Sequence, residues 1–184
     1  MKKMKCLTEM GAAFFLCIIV MGCQEGKFGS LSSQPSADAV AILMPVEGGA
    51  VAGTVRFART KTGLRVMAKV EGLTPGLHGF HIHTFGDCRS EDFSSAGGHF
   101  DPRNQPHGAR DSEHRHVGDL GNIDADQAGT ARVDFTDDII TLDGAESIIG
   151  RSVVVHEGAD DGITQPDGNA GRRVACGVVG FAHR

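Results

Sequence analysis

The sequence predicts an all-β domain over residues 38–184, and three observations point there. Short runs rich in Val, Ile and Phe recur at intervals of roughly 10 to 14 residues, separated by Gly- and Pro-containing turns. No stretch carries an apolar stripe of helical period. The composition holds 26 glycines with no Trp or Tyr, which suits a turn-rich antiparallel sandwich or barrel.

The N-terminal end does not belong to that domain. Lys2, Lys3 and Lys5 precede an apolar run from Gly11 to Met21 that is too short to span a bilayer comfortably, so residues 1–22 read as an export signal. The run ends in Val20-Met21-Gly22-Cys23, which resembles the lipobox of bacterial lipoproteins. On that resemblance Cys23 becomes the lipid-bearing first residue, and acyl chains anchor the protein to a membrane whose interior it does not enter. Gln24 in place of Asp directs the expectation to the outer membrane, facing a periplasm or cell envelope. Residues 23–37 are small, polar and aperiodic, as a flexible tether should be.

With Lys2, Lys3, Lys5 and Glu9 removed, 15 basic and 22 acidic residues leave a net charge of about −7. That balance offers no basic surface for nucleic acid. Of the five cysteines, Cys6 and Cys17 depart with the signal and Cys23 carries lipid, which leaves Cys88 and Cys176. Two thiols in an oxidising compartment most simply form one disulfide, worth about 4 to 5 kcal/mol at most in the chain-entropy model.

From Asp38 onward the strand-like runs are Ala39 to Pro45, Ala50 to Ala58, Leu64 to Val70 and His78 to Thr84. Beyond Asp119 they resume in Gly129 to Thr136, Arg151 to His156 and Val174 to Ala182. About eight strands are expected, with two long interruptions at His83 to Asp119 and Glu157 to Arg173. Structureless loops of that length are uncommon unless functional, and one is loaded with His while the other carries Asp and Gly.

His81 and His83 alternate along a strand, so both imidazoles point to one face. Six of the nine histidines fall between His78 and His114, with His116 two residues later. Clustered His with a nearby Asp predicts metal binding. Imidazole and carboxylate without thiolate suit Zn, Cu, Fe or Ni, so spacing alone leaves the metal open.

The blocks GFHIHTFGD, SAGGHFDP, HGA, RHVGDLGN, SIIGRSVVVHEGADD and GNAGRRVACGVVG resemble, in order and spacing, the signature blocks of the copper/zinc superoxide dismutases. The resemblance covers about residues 38–184 and implies an eight-stranded antiparallel Greek-key β-barrel, related to the immunoglobulin-like sandwich, with two long functional loops. It implies copper ligands His81, His83, His99 and His156, and zinc ligands His99, His107, His116 and Asp119, with His99 bridging. It implies Asp160 as the carboxylate that orients His81 and His107, Arg173 as the anion-orienting residue beside copper, and Cys88–Cys176 as the intrasubunit disulfide. His78 resembles the family's structural histidine. His114 is surplus to a full zinc set, Arg172 reads as an ordinary exposed residue, and His183 as a terminal one.

The activity implied is disproportionation of superoxide to oxygen and hydrogen peroxide, with His99 taking up a proton between half-reactions. The competing reading is a copper- and zinc-binding envelope lipoprotein without turnover. Three local departures carry further expectations. The second loop, EGADDGITQPDGNAG, has no lysine and includes Asp167, so attraction of the anion should be weak. The spacing from His83 to Cys88 is shorter than in eukaryotic members and nearer some bacterial ones. SIIGR and the Phe85-Gly86 pair resemble the eukaryotic type, whose dimers pack near those segments, so a homodimer is expected.

Overall fold

The computed structural model describes residues 38–183. The expected signal, the tether and Cys23 lie outside the described residues. Eight strands form: β1 (Ala39–Pro45), β2 (Ala52–Arg59), β3 (Leu64–Glu71), β4 (Gly76–His83), β5 (Asp119–Ala125), β6 (Ala131–Asp137), β7 (Ser152–His156) and β8 (Arg173–Phe181). All pair antiparallel in the order β1-β2-β3-β6-β5-β4-β7-β8, and β8 returns to β1 to close a barrel. Strands β4, β5 and β6 follow one another around the wall, with β3 beside β6 and β7 beside β4, so two Greek keys share the meander. The closure is thin at one seam, where β5 and β6 pair only at Ala125 and Ala131.

Alternation builds the interior. In β3, Leu64, Val66, Ala68 and Val70 are buried while Arg65, Met67 and Lys69 are not. Val55 and Phe57 of β2 and Leu43 of β1 join them in the core. In β4 both faces are covered: Phe80 and Ile82 enter the core, while His81 and His83 are fully buried on the opposite face. That second face is roofed by the long connections.

Strand β5, DLGNIDA, is the one the sequence hides. Gly, Asn and two Asp in seven residues weaken its strand propensity, and its burial does not alternate. A register shift opposite Gly79 and His81 accounts for the irregular pattern. Other strand ends differ from the expected ones by one or two residues: β2 begins at Ala52, and β4 begins two residues before His78.

Residues 84–118 contain only the short 3-10 turn Ser94–Ala96, and residues 157–172 contain no regular element. The connection 138–151 is a third irregular stretch, where the sequence marks only two. It braces the first: the Arg151 guanidinium lies 3.5 Å over the Phe100 ring and donates to Thr84 O at 2.7 Å. The Cys88–Cys176 disulfide ties residues 84–118 to β8. Beneath it, Phe93, Ala96, Val154 and Cys176 form a small second apolar cluster.

Candidate metal centre

Two groups of four side chains assemble on the roofed face of β4. One is His81, His83, His99 and His156; the other is His99, His107, His116 and Asp119; every member is buried. His81 and His83 come from β4, Asp119 opens β5 and His156 closes β7. His99, His107 and His116 hang on the first long connection. The main chain carries His99 into place, because Phe100 N–H donates to Ile82 O at 2.8 Å and His99 forms an isolated antiparallel bridge with His83 at the end of β4.

Hydrogen bonding decides which ring nitrogen each histidine has free. His83 Nδ1 lies 2.9 Å from Gly97 O, and His156 Nδ1 lies 3.0 Å from Gly171 O. Each therefore donates through Nδ1, leaving lone pairs on both Nε2 atoms. Those two Nε2 atoms face one another at 3.4 Å. Two lone pairs cannot share a proton neither ring has to give, so the contact calls for a cation between them. His81 is inverted: its Nε2 meets Asp160 Oδ2 at 2.7 Å, and its buried Nδ1 has no partner.

The second group converges on one oxygen. Asp119 Oδ1 is 2.8 Å from His99 Nδ1, 3.1 Å from His107 Nδ1 and 3.2 Å from His116 Nδ1. Four ligand atoms around a tetrahedral ion with bonds of about 2.0 to 2.1 Å sit roughly 3.3 Å apart, close to this spacing. His107 Nδ1 makes no hydrogen bond in spite of its proximity, and His99 Nε2 is buried without a partner. His99 thus has one nitrogen for each group. Buried nitrogens left unpaired in this way fit metal cations in both places.

The surroundings push the two groups in opposite directions. Burial holds the His81 pKa down at about 3 and that of His156 at about 4, and pushes His83 well below its usual value. These rings stay neutral and able to donate lone pairs. Burial also opposes charge on His107, but the carboxylates of Asp119 and Asp160 outweigh it and raise this pKa to about 10. Both acids are held below the ordinary carboxylate range: burial works against their charge, and the neighbouring histidines overcome it.

A buried frame fixes the ligands. Asp160 spans the two groups, with Oδ2 on His81 and Oδ1 at 3.0 Å from His107 Nε2. Asn122 grips the Asp160 backbone, accepting from its N–H and donating to its C=O, both at 2.8 Å. Gly168 lies over the Asp160–His107 contact with φ +67°; a Cβ there would fall on Asp160 Oδ1 and within 2.6 Å of His107 Nε2. The Arg115 guanidinium donates to Asp137 Oδ2 at 2.6 Å and to Asp119 O at 3.0 Å, pinning the second group to β6. Arg173, paired opposite His156, donates to Phe93 O and to Gly97 O.

The structure brings together every metal-ligating candidate named from the sequence, and Asp160 and Arg173 with them. His78 bridges Thr74 O at 2.8 Å and His156 O at 2.9 Å. His114 is exposed and outside both groups, as is His183. Arg172 is exposed and pairs with Glu157. Sequence reading misses Asn122 and Gln165, whose partners are backbone atoms far along the chain, and Arg115, whose distant partner is the Asp137 carboxylate.

A closed antiparallel barrel carrying two buried, histidine-sharing cation sites defines a dinuclear metalloprotein. The profile of the copper/zinc superoxide dismutase (SODC) family matches residues 51–179. A copper-zinc superoxide dismutase of Onchocerca volvulus is 50% identical over 155 residues, covering 78% of this chain and 96% of the relative. An extracellular copper-zinc superoxide dismutase of Brugia pahangi is 46% identical over 156 residues, covering 80% and 77%. Among solved structures, a crystal structure of the clock protein EA4 superposes with a TM-score of 0.72 at 42% identity, covering 78% of this chain and 94% of that one. The chain belongs to the copper/zinc superoxide dismutase family. Its reaction is the dismutation of superoxide to oxygen and hydrogen peroxide, and its cofactors are copper and zinc.

Proposed function

We propose that His81, His83, His99 and His156 hold copper, and that His99, His107, His116 and Asp119 hold zinc. The observation that carries this division is His99, whose Nδ1 lies with Asp119 while its buried Nε2 is unpaired. Four imidazoles suit copper, and three imidazoles with one carboxylate suit zinc. When bound, copper supplies the one-electron couple that the reaction needs, and zinc supplies fixed charge without redox chemistry. His99 Nε2 holds a proton between half-reactions and gives it up toward peroxide. Arg173, locked by two carbonyls, presents a fixed positive charge to the anion. Asp160 orients His81 and His107 together, so the two sites share one scaffold. Metal analysis of two variants tests the division. His81→Ala should lose copper and keep zinc, and His116→Ala the reverse; equal loss of both metals in both variants contradicts it.

The protein works outside the cytoplasm on this reading, as a bacterial-type lipoprotein that removes superoxide at the cell envelope. Residues 1–22 act as the signal, Cys23 as the lipidated residue and 23–37 as the tether, with anchoring in the outer membrane. The sequence around Cys23 and the disulfide of the barrel support export. So does similarity to a relative named as extracellular. Cys23→Ser in the full chain should abolish labelling by radioactive palmitate and move the protein to the soluble fraction; unchanged membrane association contradicts the anchor.

A homodimer completes the reading. Ile42, Met44 and Val178 are exposed and line one groove across β1 and β8; Phe85 is also exposed, and its O accepts from the hydroxyl of Ser152, which pairs with Val178. A second copy of this chain is the partner that buries this face. Phe85→Glu should shift the sedimenting species from dimer to monomer.

A further inference from the structure

Gln165 sits in the second long connection, where no sequence block assigns it a function. Its side chain forms two bonds with the backbone of a single residue of the first connection. Gln165 Oε1 accepts from His107 N–H at 2.8 Å, and Gln165 Nε2 donates to His107 O at 2.9 Å. The carboxamide thus pairs with His107 as a neighbouring strand would. His107 needs it, because residues 101–118 form no strand or helix that could hold its peptide.

The connection is built to present that amide. Asp161 N–H donates to Gly168 O and Gly168 N–H to Thr164 O, closing a small ring of chain. The Asp161 carboxylate accepts from Ile163 N–H, Thr164 N–H and the Thr164 hydroxyl. Gln165 Nε2 also reaches Ile163 O at 3.1 Å, which sets its rotamer. The same ring lays Gly168 on the Asp160–His107 contact. One face of the ring therefore seals the His107 ring nitrogen while its edge grips the His107 backbone.

We propose that Gln165 is a positioning residue of the zinc-side group, fixing His107 so that Nδ1 points at the shared ion while Nε2 stays on Asp160. This rests on the assignment of His107 as a zinc ligand. Apart from Gln165, His107 is held by its side-chain bond to Asp160 and by the Gly108 N–H, which donates to Asp119 Oδ2 at 3.0 Å; the Gln165 pair adds the only bonds to His107's own N–H and C=O among the described residues. Outer partners of this kind typically change metal affinity by about 10- to 100-fold.

The test uses the metal-loaded full chain. In Gln165→Leu, zinc should pass to a chelator about 10-fold faster than in the parent, and cobalt placed in the zinc group should show shifted ligand-field bands. Gln165→Glu keeps the acceptor for His107 N–H but loses the donor, so its rate should fall between. Thr164→Val loosens the same ring without touching His107 and should leave the cobalt bands in place. Unchanged release and bands in Gln165→Leu overturn the proposal, as do equal changes in Thr164→Val, which would mean that ring order alone matters. A parent protein that retains no zinc, or a His116→Ala variant that retains all of it, defeats the zinc assignment and the proposal with it.

Discussion

His83 and Arg173 meet at one carbonyl. Gly97 O accepts from His83 Nδ1 at 2.9 Å and from Arg173 Nη2 at 2.6 Å, so the ring that offers Nε2 to the all-histidine group and the guanidinium beside it share a single anchor. The arginine cannot drift without loosening the histidine. Position and charge are set together, by a loop that the disulfide ties to β8.

Arg173→Ala should lower kcat/KM for superoxide by about 100-fold, the magnitude typical of removing one oriented charge-stabilising donor, with copper content retained. Arg173→Lys should recover only part of the loss, since one ammonium cannot hold both Phe93 O and Gly97 O. Fast-kinetic superoxide decay alongside metal analysis checks this; full rate in the alanine variant contradicts it.

The approach to Arg173 is poor in positive charge. Asp92 lies with Arg172 and Arg173 around one open cavity, and the second connection has no lysine between Glu157 and Gly171. Lowering ionic strength should therefore change kcat/KM by less than about 2-fold, where an attractive field would give a steep rise. Asp167→Lys should restore the rise. A steep dependence in the parent protein contradicts the expectation.

The metal-free protein should lose stability in acid. Histidines in the unfolded chain titrate near 6.5, while burial holds His81 at about 3 and His156 at about 4. Between those values the unfolded chain binds more protons, so stability falls as pH drops from 6.5 toward 4. His107 acts in the opposite direction: with its pKa raised to about 10, its contribution is complete below 6.5 and is lost as pH rises through about 10. Thermal unfolding of the stripped protein across this range should show both slopes, and a flat profile contradicts the assignment.

Asp137→Asn should destabilise the fold by about 3 to 5 kcal/mol, because it leaves Arg115 charged and buried without a counter-charge. Both side chains are at most 2% exposed. Denaturant unfolding measures the loss, and zinc retention should fall with it, since Arg115 also holds Asp119 O.

Of the clustered histidines, only one pair was legible from local geometry; the rest of the set rested on the resemblance. His81 and His83 are two residues apart on a strand, and period two places them on one face whatever the rest of the chain does. The fold class followed from runs such as Leu64 to Val70, whose alternation survives in β3. Strand β5 was not legible, because Asp119 and Asn122 are polar for reasons outside the strand: Asp119 belongs to the second group and Asn122 is spent on the Asp160 backbone. Arg115 and Gln165 were hidden for the same cause. In sequence they are indistinguishable from solvated loop residues, and only the closed barrel brings Asp137 and the His107 peptide to them. The choice of ring nitrogen was equally invisible, since it depends on carbonyls of Gly97 and Gly171 that folding alone delivers.

Turnover by the protein loaded with copper and zinc, compared with His156→Ala, tests the central claim most directly. The parent should remove superoxide in a cyanide-sensitive reaction, and His156→Ala should abolish that reaction while zinc remains bound. Full occupancy of both metals in the parent without turnover would contradict it.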